Sequence, residues 1–263
     1  MNEDSQFVVV ADDGRIRWLT LHQPSRKNAV PAAGWVELAD ALVDFAKSEQ
    51  RVLVIKGAGA DFCSGADLNL DQLDDLRSPA IGREYMQGPG RAATALHRIG
   101  KPTIAAVDGV AFGAGMNLAI GCDVVVATSR ARFSEVFVRR GLTLDFGGTW
   151  LLPRLVGMAR ARELALTGRE IEAAEALEIG LVARVVEPAE LDTAVSELAQ
   201  GLAAGAPLAQ RFVKTGLSRS LDMTFEQSIS YEDQAQAALL ASDDLREGVA
   251  AFLDKRPPEF TGS

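Results

Sequence analysis

Apolar residues along this chain fall into two rhythms. Short β-rich runs, Phe7-Val8-Val9-Val10, Ile16 to Leu21, Arg51 to Lys56, Thr103 to Val107 and Cys122 to Ala127, have the length and β-branched content of strands. Asp12-Asp13-Gly14 between the first two is a turn signal, so the chain is expected to open with a hairpin. Elsewhere the spacing is three and four residues. Trp35, Leu38, Leu42 and Phe45 mark the buried face of a helix that starts near Pro31, and Ala92, Ala95, Leu96 and Ile99 mark another. Residues 69–90 are polar and carry Ser78-Pro79 and Gly88-Pro89, which predicts a short helix and a mobile loop. From Trp150 onward helical spacing dominates, interrupted by a short strand over Leu181 to Val186, and long helices run to Arg256. Strand, loop and helix units recur without repeated sequence, so the fold class is α/β with a helical C-terminal portion.

Candidate chemistry lies between these elements. Gly113-Ala114-Gly115 sits where the strand ending at Val107 and its following loop turn into a helix. The first N–H groups of a helix have no internal partner, and the helix dipole favours negative charge there, so the turn can receive an anion or a polarised oxygen. A second loop of small residues, Gly57 to Leu68, can aim another N–H, near Gly65 and Ala66, at the same oxygen. Asp145 stands among Leu142, Leu144 and Phe146 and beside Gly147-Gly148. Each piece has a plainer reading: a tight turn for the glycines, a cap or turn former for the aspartate. Arg26 and Lys27, on the loop before the first helix, suit a phosphate or a solvated surface pair equally. His97 lies off its helix's apolar face and reads as a packing or surface residue rather than a base.

Composition narrows the field. The 263 residues suffice for one large or two small domains, with 48% apolar and 24% charged residues, as in ordinary soluble proteins. Runs such as Val52 to Ile55 and Val124 to Ala127 fall far short of the roughly 20 apolar residues a spanning helix needs. The N-terminus is polar and acidic where a secretory signal is basic and then apolar, so the expected location is the cytoplasm. A net charge of −9 argues against nucleic acid and anionic lipid as partners. Cys63 and Cys122 are too few for a disulfide framework or a cysteine metal site, and His22 and His97 give a zinc site or a Ser-His-Asp triad little material.

Three stretches, Ala58 to Leu68, Ala105 to Ala127 and Phe133 to Gly157, resemble the crotonase superfamily of enoyl-CoA hydratases and isomerases, and the similarity extends to Arg246 to Arg256. Gly141 to Arg154 and Phe252 to Gly262 look most like the ring-epoxide isomerases of phenylacetyl-CoA breakdown and related double-bond isomerases. The resemblance implies a spiral of ββα units. Residues 1–195 would form an acyl-CoA-binding core and 196–263 a helical region that builds a trimer or a pair of trimers. It implies an acyl-CoA thioester as partner and no cofactor beyond the coenzyme A that the substrate carries. The N–H groups of Ala66 and Ala114 would form an oxyanion hole for the thioester carbonyl. Arg26 and Lys27 match the family loop near the CoA phosphates, and Phe252 and Lys255 match C-terminal residues that reach CoA from a neighbouring subunit. Ala29, Ser64, Asp67, Leu68, Gly113, Arg140 and Leu142 fall at further substrate or CoA positions.

Departures from the hydratase pattern indicate the reaction. Hydratases of the family orient water with two glutamates, and their places here hold Asn117 and Phe137, with Glu135 close by in sequence. Asn117 takes no proton at neutral pH and Phe137 has no polar atom, so hydration by the paired-glutamate route is expected to be weak or absent. Asp145 falls where the isomerase branches carry their catalytic aspartate. The implied activity is an isomerase that shifts a double bond, or rearranges a ring epoxide, by proton transfer beside a polarised thioester. Two alternatives remain: an acyl-CoA-binding protein without turnover, and a dehalogenase with Asp145 as nucleophile and Phe137 as aromatic wall, whose histidine base would have to stand near Gly90.

Overall fold

Strands that lack polar positions can survive only where both faces are covered, and the least polar runs of this chain meet in one sheet. The computed structural model describes residues 6–68 and 77–263. Strands β1 (Val8–Asp13) and β2 (Ile16–Leu21) form the opening hairpin, with Val8 opposite Leu21 and Asp13 opposite Ile16. Strands β3 (Val52–Gly57), β4 (Thr103–Val107), β6 (Val124–Thr128) and β9 (Arg184–Val186) extend the sheet in the order β1-β2-β3-β4-β6-β9, parallel throughout after the hairpin. Short strands β5 (Val110–Phe112), β7 (Arg132–Ser134) and β8 (Glu170–Glu172) form a second sheet in the order β5-β7-β8. Chain leaving β4 enters β5, and chain leaving β6 enters β7, so successive turns of a spiral place one strand in each sheet. Cys63, bridged to Ala111, and Ala66, bridged to Val30, carry an earlier turn onto the same surface.

Helices cover both faces of the large sheet. Helix α1 (Ala32–Lys47) buries Trp35, Leu38, Leu42 and Phe45, as its spacing predicts, and packs on helix α2 (Pro79–Arg98) and the sheet. Leu53, Ile55, Ala105 and Val107 face this layer, whereas Val52, Val54, Ile104, Ala106 and Val126 face helix α7 through Leu191, Val195 and Ala199. Between them in the chain come α3 (Ala114–Ile120), α4 (Gly148–Val156), α5 (Met158–Thr167), α6 (Ala173–Glu178) and then α7 itself (Leu191–Ala204). The C-terminal region is helical: α8 (Pro207–Arg219), α9 (Phe225–Leu240) and α10 (Asp243–Asp254). Lys214 of α8 anchors it by donating to Asp123 Oδ2 at 2.6 Å and to the Lys101 carbonyl at 2.9 Å, beside the start of β4. Cys63 and Cys122 are both free and buried.

Three expectations need correction. Helix α2 runs unbroken through Gly88-Pro89-Gly90, where the sequence predicts a break. Pro89 is buried, and a Cβ on Gly88 would fall 3.1 Å from the Trp35 Cβ, so close packing on α1 offsets the hydrogen bond that proline removes. The rest of the predicted short helix and loop, residues 69–76, lies outside the described residues. Strand β6 starts two residues later than Cys122, and only Arg184–Val186 of the run from Leu181 is strand; Leu181 and Val182 pack into the core instead.

Helix α3 approaches the loop from β3 so closely that a Cβ on Gly115 would lie 2.2 Å from the Cys63 carbonyl oxygen. Gly115→Ala is expected to destabilise the fold by roughly 2–3 kcal/mol. By contrast, Gly90 has open space around it inside α2, and Gly90→Ala should stabilise by about 0.5–1 kcal/mol through backbone entropy and helix propensity. Urea melts of the two variants against the parent check both signs.

Candidate active site

The site begins with a buried asparagine. Asn28, left-handed at φ 54° and without solvent exposure, donates its amide to the carbonyls of Ala58 (2.9 Å) and Asp61 (2.7 Å) and accepts from the Gln23 N–H (2.9 Å). It thereby ties the loop carrying Arg26 and Lys27 to the loop after β3. Two residues on, Val30 pairs in parallel with Ala66: the Val30 N–H reaches the Gly65 carbonyl at 2.8 Å and the Asp67 N–H reaches the Val30 carbonyl at 2.9 Å. Parallel pairing of this kind uses the residues on either side of Ala66, so the Ala66 N–H points away from Val30. Ala114 is the first residue of α3 and follows Gly113, whose φ of 54° and ψ of −126° suit only glycine. Its N–H is one of the unpaired donors of the helix start. The two loops touch, since a Cβ on Gly65 would stand 3.6 Å from the Ala114 nitrogen. Ala66 and Ala114 line one cavity of about 480 Å³.

Its walls are mostly apolar, with Leu68, Met86, Val136, Phe137, Leu142 and Leu144, and its polar members are Ser64, Tyr85, Arg140, Thr143 and Asp145. Asp145 lies in the loop before α4. There Phe146 and Gly147 are left-handed in succession, at φ 49° and 85°. For Phe146 this costs on the order of 1 kcal/mol, and its buried ring, 5.7 Å from the Trp35 ring, holds it in place. The Asp145 carbonyl accepts from the Gly148 N–H at 2.9 Å and from Asn117 Nδ2 at 3.0 Å. Gly148 makes the second bond possible, because a Cβ there would fall 2.4 Å from Asn117 Nδ2. Asp145 Oδ1 has no partner among the described residues, and burial pushes the carboxyl up to about 6. Behind it, Glu135 is fully buried; its Oε2 accepts from Asn117 Nδ2 at 3.4 Å and its Oε1 has no partner among the described residues. Burial, with the Asp145 charge acting in the same direction, pushes Glu135 up to about 8. The Tyr85 hydroxyl is also buried without a hydrogen-bond partner among the described residues, and burial raises its pKa.

Ser64, Ala66, Leu68, Gly113, Ala114, Phe137, Arg140, Leu142 and Asp145 thus gather at one cavity, with Asn117 one layer behind. Arg26, Lys27, Ala29 and Asp67 do not line it. Their loop is fastened to Ser64, whose N–H donates to the Lys27 carbonyl at 2.9 Å and whose Oγ donates to the Arg26 carbonyl at 3.2 Å. Arg26 pairs with Asp67 at 2.8 Å, Lys27 is exposed and Ala29 is buried. Phe252 and Lys255 stay away from the cavity within this chain; Phe252 is 82% exposed and borders a separate groove among α8, α9 and α10. His97 packs edge-on against Trp150, with ring centroids 5.2 Å apart, and does not line the cavity.

Sequence reasoning missed Tyr85 and Met86 as wall residues and Glu135 as a buried acid. Had α2 been continued through Pro89, the series Tyr85, Pro89, Ala92 and Leu96 would have placed Tyr85 on the inward face. Glu135 carries a weaker signal, a lone charge in Phe133-Ser134-Glu135-Val136-Phe137. Chemically, two N–H groups without a partner among the described residues, and a desolvated carboxyl, around an apolar cavity can polarise a carbonyl and move a proton on the neighbouring carbon.

Comparison with known proteins agrees with this geometry. Residues 12–263 match the family model described as enoyl-CoA hydratase/isomerase. The chain is 36% identical over 259 residues to the 1,2-epoxyphenylacetyl-CoA isomerase of Escherichia coli (strain K12), covering 98% of this chain and 99% of the relative. It is 33% identical over 256 residues to the short-chain-enoyl-CoA hydratase of Clostridium acetobutylicum, covering 96% of each. Among solved structures, the enoyl-CoA hydratase from Bacillus anthracis superposes with a TM-score of 0.92 at 30% identity, over 98% of this chain and all (100%) of that one.

Burial of Asp145 has a measurable cost. An aspartate in an unfolded chain titrates at about 3.9, and in this fold Asp145 does so at about 6. Folding therefore favours the protonated form: nothing is lost below about pH 4, the penalty grows between the two values, and it is complete above the higher one. Asp145→Asn is expected to raise stability at pH 8 by roughly 1–3 kcal/mol. At pH 4.5 most of that gain should be gone, which denaturant melts at the two pH values would show.

Proposed function

This chain belongs to the enoyl-CoA hydratase/isomerase family, and from that premise we propose that it is an acyl-CoA isomerase. It shifts a double bond, or rearranges a ring epoxide, by proton transfer beside a thioester. The observation that carries the reading is one carboxylate: among the described residues Asp145 is the acid that shares the apolar cavity with the Ala66 and Ala114 N–H groups, while the two places of the hydratase glutamates hold Asn117 and Phe137.

In this mechanism the thioester oxygen accepts from the Ala66 and Ala114 N–H groups, which stabilise the charge that develops when the adjacent carbon loses its proton. Asp145 takes that proton, leaving a dienolate, and returns it two carbons along. Desolvation keeps its acid and base forms close in energy near neutral pH, which suits a group that must do both. Water gains no purchase on the double bond: Phe137 is apolar, and Asn117 spends its amide hydrogens on the Asp145 carbonyl and on Glu135. Likeness to the Escherichia coli relative supports a ring epoxide of an aromatic acyl-CoA as one substrate.

A trimer or a pair of trimers would bring Phe252 and Lys255 of a neighbouring copy to the CoA moiety. Exposed apolar side chains on the C-terminal helices, among them Val213, Leu217, Leu240 and Phe252, support that assembly. Among the described residues no helix is long and apolar enough to cross a membrane, in keeping with an enzyme of the cytoplasm.

The test follows conjugation of a 3-enoyl-CoA by ultraviolet absorbance. The parent protein should convert it, with hydration of the 2-enoyl-CoA product much slower, and Asp145→Asn should lower conversion roughly 10²- to 10⁴-fold. Turnover unaffected by the substitution, or hydration outpacing isomerisation, would overturn the reading.

A further inference from the structure

Two buried carboxyl groups share one amide. Asn117 Nδ2 donates to the Asp145 carbonyl at 3.0 Å and to Glu135 Oε2 at 3.4 Å, which commits both of its hydrogens. Gly148 closes the remaining side, because a Cβ there would lie 2.4 Å from Nδ2 and 2.7 Å from Oδ1. Turned over, the amide would set Oδ1 against the Asp145 carbonyl oxygen, acceptor against acceptor. Glu135 is therefore one of two groups that hold the amide the right way round.

Few charges face Glu135. Asp145, on the loop before α4, is the charged group that acts on it. Tyr85 of α2 lies on the cavity side, near Asp145 and Asp67. Arg139, on the 3₁₀ turn that follows Glu135, is turned away and donates to the Thr167 carbonyl at 3.2 Å. Gly168, beyond α5, lies against the Glu135 carbonyl and the Arg139 and Val138 side chains and carries no charge, and Asn117 of α3 is uncharged. With no cation among the described residues acting on it and no exposure to water, this carboxyl is favoured in its protonated form.

We propose that Glu135 is a positioning residue for Asp145: as an uncharged acid it steadies the Asn117 amide that fixes the aspartate's loop, and when ionised it draws that shared amide to itself and releases the loop that places the base. The inference rests on the isomerase reading. Glu135 keeps its own proton throughout turnover; the substrate proton leaves carbon for Asp145 and returns to carbon, so nothing else is consumed.

The test is the pH profile of kcat for 3-enoyl-CoA isomerisation. Above pH 8 the parent enzyme should fall by roughly tenfold per pH unit. Glu135→Gln, of the same shape but unable to ionise, should lose that alkaline fall. Glu135→Ala, which leaves the amide unsteadied, should lower kcat about ten- to a hundredfold with KM within about twofold. An alkaline fall that persists in Glu135→Gln, or a Glu135→Ala enzyme as fast as the parent, overturns the proposal. If Glu135→Ala does not fold, the Gln profile decides. A second readout needs no turnover: the infrared carbonyl band of a protonated buried acid should be present at pH 7, vanish on titration to high pH, and be absent at pH 7 in Glu135→Gln. Absence of that band in the parent protein overturns the proposal whatever the activity. Its presence in a protein that does not isomerise rejects the isomerase reading and leaves Glu135 a structural acid with no base to position.

Discussion

Holding one carboxylate out of water is the constraint on which this site depends. Solvation strongly favours an ionised aspartate, so a loop carrying one into an apolar cavity relaxes outward unless the backbone forbids it. Here the backbone is pinned at three points. Phe146 accepts a left-handed conformation because its ring is locked beside Trp35, Gly148 donates back to the Asp145 carbonyl, and the Asn117 amide holds the same carbonyl from the helix behind. The carboxyl is placed by contacts to its own main chain and its neighbour's ring, which leaves Oδ1 unspent for chemistry.

The opposite wall of the cavity depends on how closely main chain can approach main chain. Gly65 and Gly115 allow the loop after β3 and the start of α3 to pack without intervening side chains, and the parallel bridge between Val30 and Ala66 turns the Ala66 N–H away from its neighbour. Beneath both lies a sheet covered on each face, so neither loop can drift without disturbing strands that have no exposed side. On the proposed function, the donors and the base are therefore fixed by separate parts of the spiral. Substrate has only to enter between them.

Much of this was legible in the sequence because it is local. The run Thr103 to Val107 is a strand on composition alone, Gly113 to Gly115 marks a strand-to-helix turn, and Asp145 stands out as the one acid in an apolar loop. What escaped depended on distant partners. Pro89 stays helical because Trp35 packs beneath Gly88, a contact between residues far apart in the chain, and losing that helix hid Tyr85 and Met86. Glu135 is buried because β7 lays it against Asn117, and no local spacing distinguishes that from an exposed glutamate at the end of a short strand. Phe252 and Lys255 were named by the family resemblance alone, and within a single chain they do not line the cavity.

The central claim is that one enclosed carboxyl both removes and returns the substrate's proton. It is tested most directly by isomerising a 3-enoyl-CoA deuterated at the carbon next to the thioester and locating the label in the product by mass spectrometry and NMR. A single shuttle in a water-poor cavity is expected to deliver a measurable share of the deuterium to the carbon two positions along. Product carrying only solvent hydrogen there, at every substrate concentration and early in the reaction, would contradict the account.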